Sequence, residues 1–304
     1  MNNLNCPSQD RKISLMIVGA QKAGTTSLKN YLGQHPSLHT HPHKEFSYFF
    51  DPEENALGFD AAFKRYFSVD SPDVRLIGKN AGIYINENGI RRIKAHNPDC
   101  KLVLLLRNPV ERTYSSFLME KNYGAIHDPF ESIEPVLHDA DPKDWRYEFF
   151  IGMSLYSKHI EMILRYFPKE QLKIFRYKDF VANAAAVCTD IFSWMGVDPS
   201  FTPDTSKRHN VTRVNRSYSY GKLIIRLLNN QNAVKKIARK FLPGKMDYKM
   251  GEMLRGVNRS NKAYEPMSQQ MASVLTEFYK PYNAELSRMT GIDFSDWNQY
   301  TPNQ

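Results

Sequence analysis

Met16-Ile17-Val18-Gly19-Ala20-Gln21-Lys22-Ala23-Gly24-Thr25-Thr26-Ser27-Leu28 is the stretch whose reading decides the fold. The apolar run from Ile13 to Val18 reads as a strand, and Gly24 to Gln34 reads as a helix that stops at His35-Pro36. Between them lies a loop with Gly at both ends and Lys inside it. A strand, a glycine loop and a helix N-terminus in that order aim backbone N–H groups at one spot, which makes an anion site. A Walker loop places Lys directly after its second Gly and then a Ser or Thr that reaches Mg²⁺. Here Thr25 follows Gly24, and the Lys stands at position 22. The loop keeps a phosphate cradle and lacks the standard parts for a nucleoside triphosphate with magnesium.

A second stretch has the same form. Lys101 to Leu106 is a continuous apolar run, as a central parallel strand reads, and it ends in Arg107. Pro109 then signals a helix from about Val110, with Ser115 about two turns in. Ligands of open parallel sheets bind beyond the carboxyl ends of the strands. An Arg at such an end can pair with a phosphate, and a hydroxyl on the next helix can complete the contact. A nucleotide hydrolase would carry an acidic metal ligand there, and Arg would repel the metal. These two departures argue against metal-assisted nucleotide chemistry, so no metal is expected.

Further along, Arg75 to Gly78 and Gln171 to Arg176 read as strands. Ser154 to Phe167, Phe180 to Met195, Gly221 to Phe241 and Ser268 to Thr290 read as helices, while 40–60 reads as an aromatic loop. Alternating strands and helices predict an α/β, P-loop-like three-layer fold: a central, mostly parallel sheet with helices on both faces. No linker forces a second domain. The expectation is one domain over 1–304, with a loose tail at 1–11 and a lid or insertion within 200–265.

The chain has 304 residues and a net charge of +9, which suits anionic ligands or surfaces. Its three cysteines, Cys6, Cys100 and Cys188, are far apart and form no C-x-x-C pair, so neither a disulfide framework nor a zinc knuckle is supported. A reducing cytoplasm is the expected compartment. The polar segment Met1 to Asp10 has no apolar core of a signal peptide, and Leu102 to Leu106 is too short to span a bilayer.

In these motifs the chain resembles the sulfotransferases that use 3′-phosphoadenosine 5′-phosphosulfate (PAPS). Gln21 to Leu28 matches the family's 5′-phosphosulfate loop, and Arg107-Asn108-Pro109 with Arg112, Ser115 and Phe117 matches its 3′-phosphate motif. Lys44-Glu45-Phe46-Ser47-Tyr48-Phe49 is similar to an element of the bacterial and heparan-sulfate-type branch. Thr290 to Trp297 resembles the closing segment. The core motifs span about the first 120 residues, and their occurrence together, in order, is more specific than either alone.

The resemblance implies a role for each residue. Lys22 neutralises charge on the bridging oxygen or the 5′-phosphate. The backbone N–H groups around Gly24 to Thr26, with the hydroxyls of Thr25, Thr26 and Ser27, hold that phosphate, Ala23 belongs to the same cofactor-binding loop, and Arg107 and Ser115 hold the 3′-phosphate. Glu45 is the general base for an acceptor hydroxyl, with His41 and His43 as rivals. Lys79, in Gly78-Lys79-Asn80-Ala81-Gly82-Ile83-Tyr84, resembles a family Lys near the acceptor, without the Ser-Pro that usually follows it. A late basic loop closes over the nucleotide, and Arg208 or Arg213 of Lys207 to Arg216 would add a contact.

The implied acceptor is a hydroxyl on a carbohydrate or glycolipid. A phenol, alcohol or amine is the alternative, and nucleic acid is not an expected partner. A kinase would need Lys after Gly24 and Asp after the second strand. A basic binding module without catalysis would leave Lys22 and Glu45 without a task. The helix Lys222 to Phe241, with a cationic end, suits packing on a core; contact with an anionic membrane or glycan is the alternative. Blander readings are expected for several neighbours. Lys44 reads as a charged rim residue, Arg112 as a partner of Glu111 or another acid, Thr113 and Ser116 as helix-surface hydroxyls, and His35 and His39 as loop or satisfied core histidines.

Overall fold

Seven residues from Ile13 to Gly19 form the first strand, β1, because ISLMIVG carries no charge and can be buried on both faces. In the computed structural model residues 11–67, 69, 73–138, 144–206 and 266–300 are described. After β1 come α1 (Thr25–Leu32), β2 (Leu38–Thr40), α2 (Pro52–Ala56), α3 (Phe59–Tyr66), β3 (Arg75–Lys79), α4 (Glu87–His96) and β4 (Lys101–Leu106). They are followed by α5 (Pro109–Tyr123), α6 (Glu134–His138), α7 (Tyr156–Leu164), β5 (Leu172–Arg176), α8 (Tyr177–Ala182), α9 (Ala184–Met195) and α10 (Gln269–Thr290).

The strands form one five-stranded sheet in the order β2-β3-β1-β4-β5, and every pairing is parallel. Helices flank it, as the α/β reading expects. Leu102 to Leu106 are fully buried at its centre; burial of a leucine side chain contributes roughly 1.5–3 kcal/mol. From β1 the chain leads through β2 to β3 on one side, and then through β4 to β5 on the other. The carboxyl ends of β1 and β4 therefore flank a topological switch point, where parallel sheets bind ligands.

Contacts divide the chain into two compact units, Met1–Arg107 with Lys158–Asn210, and Asn108–Ser157 with Val211–Gln304. The sheet lies wholly in the first. In the second, Phe117, Phe130, Phe150, Leu275 and Tyr279 belong to one buried cluster. There Arg112 is fully buried, and its Nη2 donates to Ser116 Oγ and to the carbonyls of Phe149 and Phe150. Arg112 thus satisfies backbone oxygens rather than pairing with Glu111. Thr113 and Ser116 are not surface hydroxyls. Both are fully buried, and Thr113 Oγ1 meets Phe150 O and Tyr279 Oη.

Several boundaries differ from the sequence reading. The 40–60 stretch is not all loop: Asp51 caps α2 by accepting from the Glu53 and Glu54 amides, with Pro52 in the first turn. The sequence reading has no counterpart to α4, which starts where Asn86 Oδ1 accepts from Gly89 N–H at 2.7 Å. The expected helix from Phe180 is two, because Asn183 ends α8 and caps α9 through Ala186 N–H. The helix expected from Ser154 begins at Tyr156, after a 3₁₀ turn at Gly152–Ser154. Arg208, Arg213, the helix Gly221 to Phe241 and nearly all of the 200–265 segment and the 1–11 tail lie outside the described residues. Among the described residues no helix is long and apolar enough to cross a membrane.

Candidate active site

The phosphate loop leaves β1 under tight constraint. A Cβ on Gly19 would stand 2.4 Å from Tyr84 Cδ1, so only glycine lets that buried ring close over the strand end. Ala20 N–H donates to Leu105 O at 2.7 Å, which locks the loop to the end of β4. Ala23 N–H donates to Ala20 O at 3.2 Å and is used within the turn. Lys22 has φ 73, a left-handed conformation that costs a non-glycine residue roughly 1–2 kcal/mol.

Gly24 caps α1 with φ 83, and a Cβ there would meet Tyr177 Cε2 at 3.1 Å. No side chain caps α1 and its first turn carries no acid. The first-turn N–H groups of Thr25 and Thr26 are therefore offered to an anion, with the positive end of the helix dipole behind them. Thr25 and Ser27 are buried beneath the loop.

Arg107 continues β4 into this region. Its Nη1 makes a long hydrogen bond of 3.4 Å to Lys22 O, and its guanidinium lies 5.1 Å from the centre of the Tyr177 ring. The two basic residues singled out in the sequence thus belong to one loop cluster. Tyr177 and Phe180, which wall Gly24, are functional candidates that the sequence reading missed. Their signal was Tyr177's place directly after β5, at the same sheet edge as Arg107. Ser115, on α5, is buried and belongs to the second unit, so its part in an anion site rests on the motif.

The third element stands at the end of β3, on the other side of β1. Lys79 is opposite Ile17 in the sheet register. Its Nζ donates to Glu45 Oε1 at 2.6 Å and to Lys44 O at 3.2 Å, while Ala81 N–H donates to Glu45 Oε2 at 2.9 Å. Lys79 is 1% exposed, whereas the Glu45 side chain is 31% exposed. The lysine is structural depth, and the carboxylate is the accessible end. Burial pulls the Lys79 ammonium below the usual lysine range, against the opposing pull of Glu45.

His41, named as a rival to Glu45, lies in the core. Its ring is buried against Phe46, Tyr66 and Phe67, and neither ring nitrogen has a partner. Burial, with Lys29, His43 and Lys79 nearby, holds its pKa well below the ordinary value. His43 sets Nε2 3.3 Å from Arg65 O. His35 is a satisfied core histidine between Asp198 O and Ser37 N. Lys44 is exposed at the rim.

A phosphate-type loop, a basic strand end and an ion-paired carboxylate therefore sit at the carboxyl ends of adjacent strands β1, β4 and β3. The Sulfotransferase domain family matches residues 12–281 of this chain. The chain belongs to the sulfotransferase family. Human heparan sulfate glucosamine 3-O-sulfotransferase 6 is 26% identical over 95% of this chain and 75% of its own length. The membrane-associated sulfotransferase kil1 of Dictyostelium discoideum is 37% identical over 61% of this chain, which spans 56% of kil1. Among solved structures, a sulfotransferase from Alicyclobacillus acidocaldarius superposes with a TM-score of 0.66 at 21% identity, over 93% of this chain and 98% of that one. A mouse sulfotransferase in complex with PAP has a TM-score of 0.51 at 13% identity, over 92% and 88%. These two structures share the fold of this sulfotransferase.

Proposed function

We propose that this sulfotransferase draws its sulfuryl group from PAPS and delivers it to a carbohydrate hydroxyl, with Glu45 as general base. The observation that carries the reading is the Lys79-anchored Glu45 carboxylate, held one strand away from the phosphate loop of β1. The PAP bound by the mouse sulfotransferase supports the donor, and the human relative's sugar acceptor supports the carbohydrate.

The residues fit a doubly phosphorylated nucleotide. An uncapped helix N-terminus without acid, a left-handed Lys22 and a cradle closed by Gly24 suit one phosphate. Arg107 suits another. Lys22 and the N–H groups of Gly24, Thr25 and Thr26, with the hydroxyls of Thr25, Thr26 and Ser27, hold the 5′ end. Arg107 holds the 3′-phosphate. When bound, PAPS supplies the sulfuryl group and a phosphate leaving group. Lys22 neutralises negative charge at that end of the site. Glu45 orients the acceptor hydroxyl and takes its proton, and Lys79 with the Ala81 amide fixes which carboxylate face is presented.

Thermal denaturation with 3′-phosphoadenosine 5′-phosphate (PAP) or with ATP plus Mg²⁺ tests the donor. PAP at about 100 times its Kd should add about 2.7 kcal/mol of stability, which raises Tm by several degrees. A larger shift with ATP plus Mg²⁺ would reject PAPS. A labelled-PAPS assay across carbohydrate, phenol, steroid and amine acceptors tests the acceptor, and turnover confined to the non-carbohydrates would reject the carbohydrate.

A further inference from the structure

The turn that bears Glu45 has little backbone of its own to hold it. From His41 to Ser47 the chain forms no helix or strand. Phe46 N–H anchors one end by donating to Lys79 O at 2.7 Å. Asn80 Nδ2 donates to Phe46 O, Ser47 N–H to Tyr66 Oη and Ala81 N–H to Glu45 Oε2, and two ammonium groups hold the backbone before them. Lys79 takes Lys44 O and Glu45 Oε1, and Lys29 Nζ donates to His41 O at 2.8 Å and to His43 O at 2.9 Å. The two lysines thus grip successive parts of one short segment, Lys29 at 41 and 43 and Lys79 at 44 and 45.

Lys29 lies on α1, four residues after Thr25 and so about one turn beyond the phosphate loop. It is 4% exposed. Burial and the nearby Lys79 cation pull its pKa down to about 8, with Glu45 opposing. An apolar side chain would fill this space without the cost of desolvating a charge. The charge is matched instead to carbonyls immediately upstream of Glu45, on a rigid helix whose other end presents the loop.

We propose that Lys29 is a positioning residue of the transfer site, tying the Glu45 turn to the helix that presents the phosphate loop so that base and donor loop keep one geometry through turnover. The proposal rests on the reading of Glu45 as the base. It concerns a residue that neither the loop motif nor the Lys44-Glu45 element includes.

A double-mutant cycle tests it, with PAP affinity measured alongside. Lys29→Met is expected to lower kcat about 10-fold or more, with the Kd for PAP within about twofold of wild type. In a Glu45→Gln background the same substitution is expected to cause no further loss, because the group it positions no longer acts. Equal fold-losses in both backgrounds, or an unchanged kcat in the first, would overturn the proposal. Should Lys29→Met fail to fold, Lys29→Gln, which retains a shorter donor, is put through the same cycle. Full activity in Glu45→Gln alone would overturn the base reading and this proposal with it. An impaired Glu45→Gln with additive losses would overturn only the role of Lys29.

Discussion

The phosphate loop and the Glu45 turn stand at neighbouring strand ends and are held by opposite means. The loop is shaped by backbone: a left-handed Lys22, a glycine cap with φ 83, and amides that close on Ala20 and Leu105 carbonyls. The turn is shaped by side chains, the buried ammonium groups of Lys29 and Lys79. A backbone-built site tolerates side-chain change and suffers from changes in φ. A side-chain-built site depends on single charges, and through them on pH.

The largest expected effect falls on the turn. Glu45→Gln should lower kcat about 100-fold or more and leave the Kd for PAP within about twofold, as steady-state kinetics and calorimetry would show. Turnover near wild type would move the base elsewhere.

The next prediction separates the two regions by pH. Lys29 has a folded pKa of about 8, below its unfolded value of 10.5. Between these values the unfolded chain binds more protons, so the folded state gains stability as pH rises. The gain is absent below pH 8, complete above 10.5, and on the order of 3–4 kcal/mol. Urea unfolding of wild type and Lys29→Met at pH 7.5 and 10 should show the difference moving in favour of wild type. A difference independent of pH would mean that Lys29 is not a buried cation.

On the loop side, Lys22→Ala should raise the Kd for PAP about 10-fold or more, the usual size of a lost charge-assisted hydrogen bond. Gly24→Ala should cost roughly 1–2 kcal/mol in urea unfolding, because φ 83 disfavours a side chain and Tyr177 crowds its Cβ at 3.1 Å. The smallest effect is expected for Lys44→Ala. Its carbonyl, not its exposed side chain, is what Lys79 uses, so stability should change by less than about 0.5 kcal/mol.

The same contrast explains what could be read in advance. The loop was legible because glycine spacing after an apolar run encodes backbone conformation directly. β1, β4 and α10 were legible because each is a long run of one periodicity with clear ends. The capped helices α2 and α4 had readable starts in Asp51-Pro52 and Asn86, but their short, polar sequences carry too weak an apolar pattern to declare a helix. Glu45 was visible only through the resemblance of its element to a known family, and its anchor Lys79 only through a partial match. Lys29, Tyr177 and Phe180 belong to no motif at the level of sequence. They matter because α1 passes beside the 41–45 turn, and α8 beside Gly24.

By itself the sequence determined the strand–loop–helix, the Arg at the next strand end and the parallel sheet, since those follow from local periodicity and glycine's backbone freedom. Only the tertiary structure decided that Lys79 and Lys29 are buried cations clamping one turn, that His41 is sealed among aromatic rings, and that Arg112 serves carbonyls rather than a carboxylate. The physical reason is distance along the chain. A charge's role is set by the dielectric and the partners around it, and those come from residues tens of positions away that only folding brings into contact.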